Sequence, residues 1–275
     1  MIPKIIHYCW FGGNPLPEFA KNYIDGWKKL LPDYEFMLWD ESNFDINMVP
    51  FTAQVASVKK WGFIVDYIRA YAVYNYGGIY LDVDVELLKP FEESMLQNKS
   101  FGGFEDEKFV NPGNIFAGVK GCETAKEIIE FYSVYNFIKE NGDLNLTASP
   151  KIFTGILLKH GLKQNNTYQE LGVFTAYPTE YFCPKDFTTG KLTTTKNTFA
   201  IHHYDASWVP AKDTKAHNRR RRIFAIFGDN VFSRILFFCD LVIIMLINFL
   251  YRFFVKPGPV NALKYYLKKI FHKGN

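Results

Sequence analysis

The first ninety residues carry a pattern of apolar and polar positions that changes period from one segment to the next. Ile2, Ile5 and Ile6 precede Phe11-Gly12-Gly13-Asn14-Pro15, which predicts a short buried strand over residues 2–10 and then a turn. Pro17 suits the first turn of a helix over 17–30, closed near Pro32-Asp33, and Tyr34–Trp39 reads as a second strand. This βαβ opening predicts a mainly parallel sheet. From Thr52 to Tyr76 the apolar residues Val55, Val58, Phe63, Ile64, Tyr67, Ile68, Tyr71 and Ala72 recur at spacings of three and four, predicting one long helix that stops at Gly77-Gly78. Its polar members Asp66 and Arg69 share a face. Residues 79–87 then alternate strictly, with Ile79, Leu81, Val83 and Val85 on one side and Tyr80, Asp82, Asp84 and Glu86 on the other. As one strand, this segment points Asp82 and Asp84 the same way.

Between 100 and 218 the pattern breaks into short strand-like pieces, glycines and one clear helix at about 123–140. No internal repeat or low-complexity tract is visible, so residues 1–218 are read as one α/β domain. With 48% hydrophobic residues, 275 residues supply ample core, which excludes a chain disordered throughout. The net charge of +4 hides an asymmetry: residues 1–218 carry 21 Lys/Arg against 26 Asp/Glu, and residues 219–275 carry 11 against 2. An acidic body with a strongly basic helical tail predicts contact with something anionic. The four cysteines form no CxxC pair, so neither a zinc site nor a disulfide framework is indicated, and a reducing compartment fits. The N-terminal residues lack a basic stretch followed by an apolar run, and the expected location is cytoplasmic.

Two carboxylates two apart at a strand end suit a hard divalent cation, Mn²⁺ or Mg²⁺, which takes oxygen ligands and shares its other positions with phosphate and water. The plainer account of Asp82 and Asp84 is a solvated strand edge or a cap. Asp66 and Arg69 stand in an otherwise aromatic and aliphatic helix, where charged groups are tolerated when paired. They form either an intrahelical ion pair or a grip on a bound sugar, Asp66 accepting from its hydroxyls and Arg69 bracing Asp66 or a phosphate.

The string Lys60-Trp61-Gly62-Phe63-Ile64-Val65-Asp66-Tyr67-Ile68-Arg69, followed by Tyr76-Gly77-Gly78-Ile79-Tyr80-Leu81-Asp82-Val83-Asp84, closely resembles the DXD-containing sugar-binding region of glycosyltransferase family 32. That family includes bacterial capsular polysaccharide transferases and the yeast initiating mannosyltransferase, and its DXD region is similar to that of the clostridial glucosylating toxins. The opening Ile2–Gly12, Trp27-Lys28, Leu31–Glu35 and Trp39-Asp40 resemble the same family, and the match is dense over 1–90 and thin from 91 to 200. The resemblance implies a GT-A type, Rossmann-like fold and sugar transfer from a UDP- or GDP-sugar with retention of configuration. It implies that Asp82 serves the sugar and ribose side, Asp84 the metal, and Asp66 and Arg69 the donor sugar, with Tyr80 on the same strand face. Trp10 would stack on the nucleotide base. His7 would line the pocket, although a buried core histidine is the alternative. Ala200–Trp208 resembles the family's closing His…Ser-Trp element, with Ser207 and Trp208 capping the nucleotide. Adjacent histidines on a strand face opposite sides, so only one of His202 and His203 can enter the site, and His203 is expected to join Asp82 and Asp84 on the metal. The implied acceptor is a glycan or a lipid-linked glycan, as in capsule or exopolysaccharide synthesis.

In the tail, Arg219–Arg222 precede an apolar stretch, 235–251, that contains Asp240 and Asn248, with Arg252, Lys256, Lys264, Lys268 and Lys269 after it. As a membrane span it is marginal; a helix lying on the anionic inner face of the cell membrane suits it better than a buried hairpin. Nucleic acid is not expected, since no base-reading motif accompanies the charge. Two rivals share the Asp-x-Asp: a phosphotransferase or hydrolase, which lacks here a Gly-x-x-x-x-Gly-Lys-Ser/Thr loop, and a membrane-anchored binding protein with structural aspartates.

Overall fold

The computed structural model describes residues 1–204, 219–224, 226–228 and 230–254, with side chains to residue 246. They fall into two compact units, one of residues 1–187 and 191–204, the other of 188–190 with the helical segments from 219 onward. In the first unit the elements are β1 (Ile5–Cys9), α1 (Glu18–Leu30), β2 (Glu35–Trp39), α2 (Pro50–Ser57), α3 (Trp61–Tyr76), β3 (Gly78–Tyr80), β4 (Val85–Leu87), α4 (Glu93–Leu96), β5 (Ser100–Gly103), β6 (Phe116–Gly118), α5 (Glu123–Val134), α6 (Ser149–Lys159), β7 (Gln169–Glu170), β8 (Thr175–Tyr177), α7 (Thr179–Phe182) and β9 (Ala200–His202).

The predicted βαβ opening is present, with β1 pairing parallel to both β2 and β3. The central sheet runs β2-β1-β3-β6-β5-β8-β7. Its pairings leave five strands pointing one way and only β6 and β7 the other, so the mainly parallel α/β class read from the sequence is the observed one. Alternation along β1 divides two cores: Ile6 and Tyr8 pack with Trp27 of α1 on one face, while Cys9 packs with Ile64 and Ile68 of α3 on the other.

Two predicted elements are broken. The expected helix 52–76 is two helices, α2 and α3, because Lys59 takes a left-handed φ of 56° between them. The expected continuous strand 79–87 is also two pieces. It leaves the central sheet after Tyr80, turns through Asp82–Asp84 with the Val85 N–H donating to the Asp82 carbonyl at 3.1 Å, and re-forms as β4 in a separate ribbon with β9. The helix expected to run to 140 ends at Val134.

Gly77 and Gly78 make the α3–β3 junction possible. Both have positive φ, and a β-carbon on Gly78 would lie 2.6 Å from the Ile5 carbonyl oxygen. In the second unit, α8 spans residues 219–224 and α9 spans Val231–Phe254. Among the described residues no helix is long and apolar enough to cross a membrane. The basic residues after 254 lie outside the described residues.

Candidate active site

Strands β1, β3, β5 and β8 end at one edge of the sheet, where open α/β sheets hold their ligands. β6 runs the other way, so the loop that leads into it, residues 111–115, reaches the same edge. Trp10, Asp82, Glu105 and Asn111–Asn114 therefore converge there from three different connections.

Asp82 and Asp84 meet through the turn, not through the strand alternation expected of them. The carboxylate oxygens of both and a ring nitrogen of His202 lie within 4.8 Å of one another. His202 Nε2 is 3.1 Å from Asp84 Oδ1, and the ring is almost fully buried. Burial alone would lower the His202 pKa, but the Asp84 charge and hydrogen bond outweigh it and hold the imidazole well above its usual value. Two carboxylates and an imidazole at this separation are a donor set for a first-row divalent cation, and the imidazole suits Mn²⁺ better than Mg²⁺. The residues thus fit the metal that the sequence implied, with one correction. His203, the expected ligand, points to the other side, where its Nε2 is 2.8 Å from Glu86 Oε2 and its ring stacks on Tyr23 at 5.0 Å. Its N–H donates to the Asp84 carbonyl, so it holds the turn by its backbone.

Behind the aspartates lies a buried ion network. Arg69 Nη2 sits 3.2 Å from Asp66 Oδ1 and 3.5 Å from Asp82 Oδ1, while Nη1 donates to Ser149 Oγ at 3.2 Å. The Tyr80 hydroxyl donates to Asp82 Oδ1 at 2.7 Å, and the Arg69 guanidinium lies 5.1 Å over the Tyr80 ring. Burial pushes the Asp66 carboxyl up to about 6 against the pull of Arg69. Burial also raises Asp82, with Arg69 opposing and Asp84 adding to the shift. Of the two alternatives weighed for Asp66 and Arg69, the i,i+3 ion pair is present, and it is extended to Asp82.

The loop before β6 was not singled out in the sequence beyond its glycine content. Asn111 Oδ1 accepts from the Gly113 N–H at 2.7 Å, and its Nδ2 donates to Glu105 Oε2 at 2.8 Å. The Gly113 carbonyl accepts from the Asp82 N–H at 2.9 Å. Asn114 is fully buried, and neither of its amide atoms has a hydrogen-bond partner among the described residues. Burial pushes the Glu105 carboxyl up to about 7, with the His202 charge opposing. The Asn-Pro-Gly-Asn run at 111–114 was the available signal, since such residues mark turns whose side chains bond locally.

His7 is fully buried with both ring nitrogens engaged. Nδ1 accepts from Trp39 Nε1 at 3.2 Å, which leaves Nε2 to carry the proton donated to the Gly77 carbonyl at 2.8 Å. It offers no free atom to a donor, and the core-histidine alternative describes it. Trp10 is half-buried at the site edge, its indole N–H donating to the Asn14 carbonyl at 2.6 Å. Ser207 and Trp208 lie outside the described residues.

The family described as "glycosyltransferase sugar-binding region containing DXD motif" matches residues 17–101. The matched stretch includes both Asp82 and Asp84. Over 92 residues the chain is 38% identical to inositol phosphoceramide mannosyltransferase 3 of Schizosaccharomyces pombe, covering 30% of this chain and 24% of the relative. It is 28% identical over 102 residues to inositol phosphoceramide mannosyltransferase 1 of the same yeast, covering 33% and 30%. The chain thus spans less than a third of the length of these curated relatives. Among solved structures, the PaToxG glycosyltransferase aligns with a TM-score of 0.49 at 19% identity, covering 57% of this chain and 69% of that one. A glycosyltransferase involved in glycosylation of the major capsid of PBCV-1 aligns with a TM-score of 0.43 at 12% identity, covering 78% and 100%.

Proposed function

We propose that this DXD glycosyltransferase moves a sugar from a UDP- or GDP-sugar to a glycan or lipid-linked acceptor, with retention of configuration, in capsule or exopolysaccharide synthesis at the inner face of the cell membrane. The observation that carries the transfer reading is the convergence of Asp82, Asp84 and His202 at the ligand-binding edge of the sheet, with Asp82 inside the matched sugar-binding region. Bound between these three residues, Mn²⁺ would neutralise charge growing on the departing diphosphate. Arg69 keeps Asp82 oriented and compensates its charge when the site is closed to water. Asn114 supplies a buried donor and acceptor that none of the described residues uses, a fit to sugar hydroxyls. Trp10 offers its ring to the base at the end of β1. Transfer proceeds on the front face of the sugar, the leaving phosphate oxygen taking the acceptor's proton. The basic C-terminal segment holds the enzyme at an anionic membrane surface.

A thermal-shift panel of UDP- and GDP-sugars with Mn²⁺ or EDTA tests the donor class. One nucleotide sugar should raise the midpoint in Mn²⁺ and not in EDTA, because a ligand that binds only the folded state stabilises it by mass action. No cation-dependent shift with any donor would remove the transferase reading in favour of a structural role for the aspartates.

A further inference from the structure

We propose that α9 lies flat in an anionic phospholipid surface, inserting one exposed apolar face. This deepens the membrane part of the reading above and is independent of the transfer reaction. At 100° per residue, Val231, Phe232, Ile235, Phe238, Ile243 and Leu246 fall within an arc of about 140° on the helix surface. All six are exposed, Val231 by 73% and Phe238 by 65%. A helix on a water-facing surface carries polar residues in that arc and turns its apolar stripe inward.

Of the polar residues of α9, Ser233 and Asp240 sit on the opposite side, and the exposed Arg234 flanks the stripe. Ser233 is fully buried, and Asp240 is paired with Arg219 Nε at 3.1 Å. The Arg220 guanidinium lies 5.1 Å from the Phe224 ring and 5.8 Å from that of Phe237, so α8 covers this side of α9. The carboxylate that made the sequence a poor membrane span is therefore turned away from the exposed stripe and neutralised. Lying in the surface keeps Asp240 and Arg219 out of hydrocarbon, whereas crossing would carry them through it.

Charge selects the occupant. Residues 219–275 hold 11 Lys/Arg against two Asp/Glu, so a second copy of this segment would meet like charge with like. An apolar stripe with basic residues around it matches an anionic leaflet, where each basic residue near the surface adds attraction.

The test is co-sedimentation of the full chain with phosphatidylcholine vesicles, alone and with about 30 mol% phosphatidylglycerol, a range where surface charge is substantial. Wild type should partition onto the anionic vesicles about tenfold or more better than onto the neutral ones. The double variant Ile235→Glu with Phe238→Glu should lose about tenfold, and Phe238→Leu should keep wild-type binding. Both positions are exposed, so equal melting midpoints verify folding, and donor hydrolysis without vesicles should be unchanged in the double variant. Equal partition of wild type and the double variant would overturn the proposal. So would light scattering that shows a wild-type dimer which the double variant dissolves, since the stripe would then be covered by a second copy.

Discussion

The Asp82 carboxylate rests against the α-carbon of Gly113, so closely that a β-carbon at Gly113 would collide with Asp82 Oδ2. The same β-carbon would lie 3.1 Å from both Arg69 Nη1 and Asn111 Oδ1. The aspartate itself, its partner Arg69 and the loop residue Asn111 thus surround one absent side chain. Gly113→Ala should lower kcat/KM for donor hydrolysis by about a hundredfold, the scale of a misplacement near 1 Å. Steady-state kinetics beside a melting curve check this; wild-type kinetics in a folded Gly113→Ala protein would show that Asp82 need not stay where Gly113 puts it.

The two adjacent histidines should separate cleanly. His202→Ala removes a ring 3.1 Å from Asp84 and should weaken Mn²⁺ binding by about ten- to a hundredfold, as loss of a ligand or orienting group does. His203→Ala loses the Glu86 and Tyr23 contacts and should leave Mn²⁺ affinity within about twofold. Titration followed by electron paramagnetic resonance distinguishes them, and the reverse order would restore His203 as the ligand.

Asn114→Ala should reduce donor turnover about tenfold or more while changing stability by less than about 1 kcal/mol, because among the described residues its amide makes no bond to lose. A large drop in the denaturation midpoint would instead make Asn114 a structural residue.

How far these residues could be read in advance depended on whether the contact was local. The helix face shared by Asp66 and Arg69, and the strand end carrying Asp82, follow from spacings of three and two, and both are present. The turn at Asp82–Asp84 contains no glycine or proline, so alternation read straight through it. Lys59 breaks the α2–α3 helix from a left-handed conformation without a glycine to announce it. The choice between His202 and His203 depends on the register of β9 against β4, set by a pairing of residues more than a hundred apart in sequence. Local pattern established that at most one of the two histidines can enter; it carried no information on which.

His7 gives a pH dependence with a defined sign. Burial lowers its pKa to about 4 from the usual 6.5, with the Gly77 hydrogen bond opposing. The unfolded chain therefore binds a proton that the folded state refuses, and stability present above pH 6.5 declines as pH falls toward 4. Between pH 7.5 and 5 this group should cost about 2 kcal/mol, read as a fall in urea midpoint that is shallower in His7→Gln. Parallel slopes for the two proteins would mean that His7 titrates normally.

The central claim, a cation held by Asp82, Asp84 and His202 for sugar transfer, is tested most directly by donor hydrolysis in Mn²⁺ and in EDTA for wild type and Asp84→Asn. The structure predicts turnover of one nucleotide sugar in wild type with Mn²⁺, abolished by EDTA and reduced at least about a hundredfold in Asp84→Asn, the scale on which removing charge stabilisation acts. Equal turnover in Asp84→Asn, or turnover that EDTA leaves untouched, would contradict it.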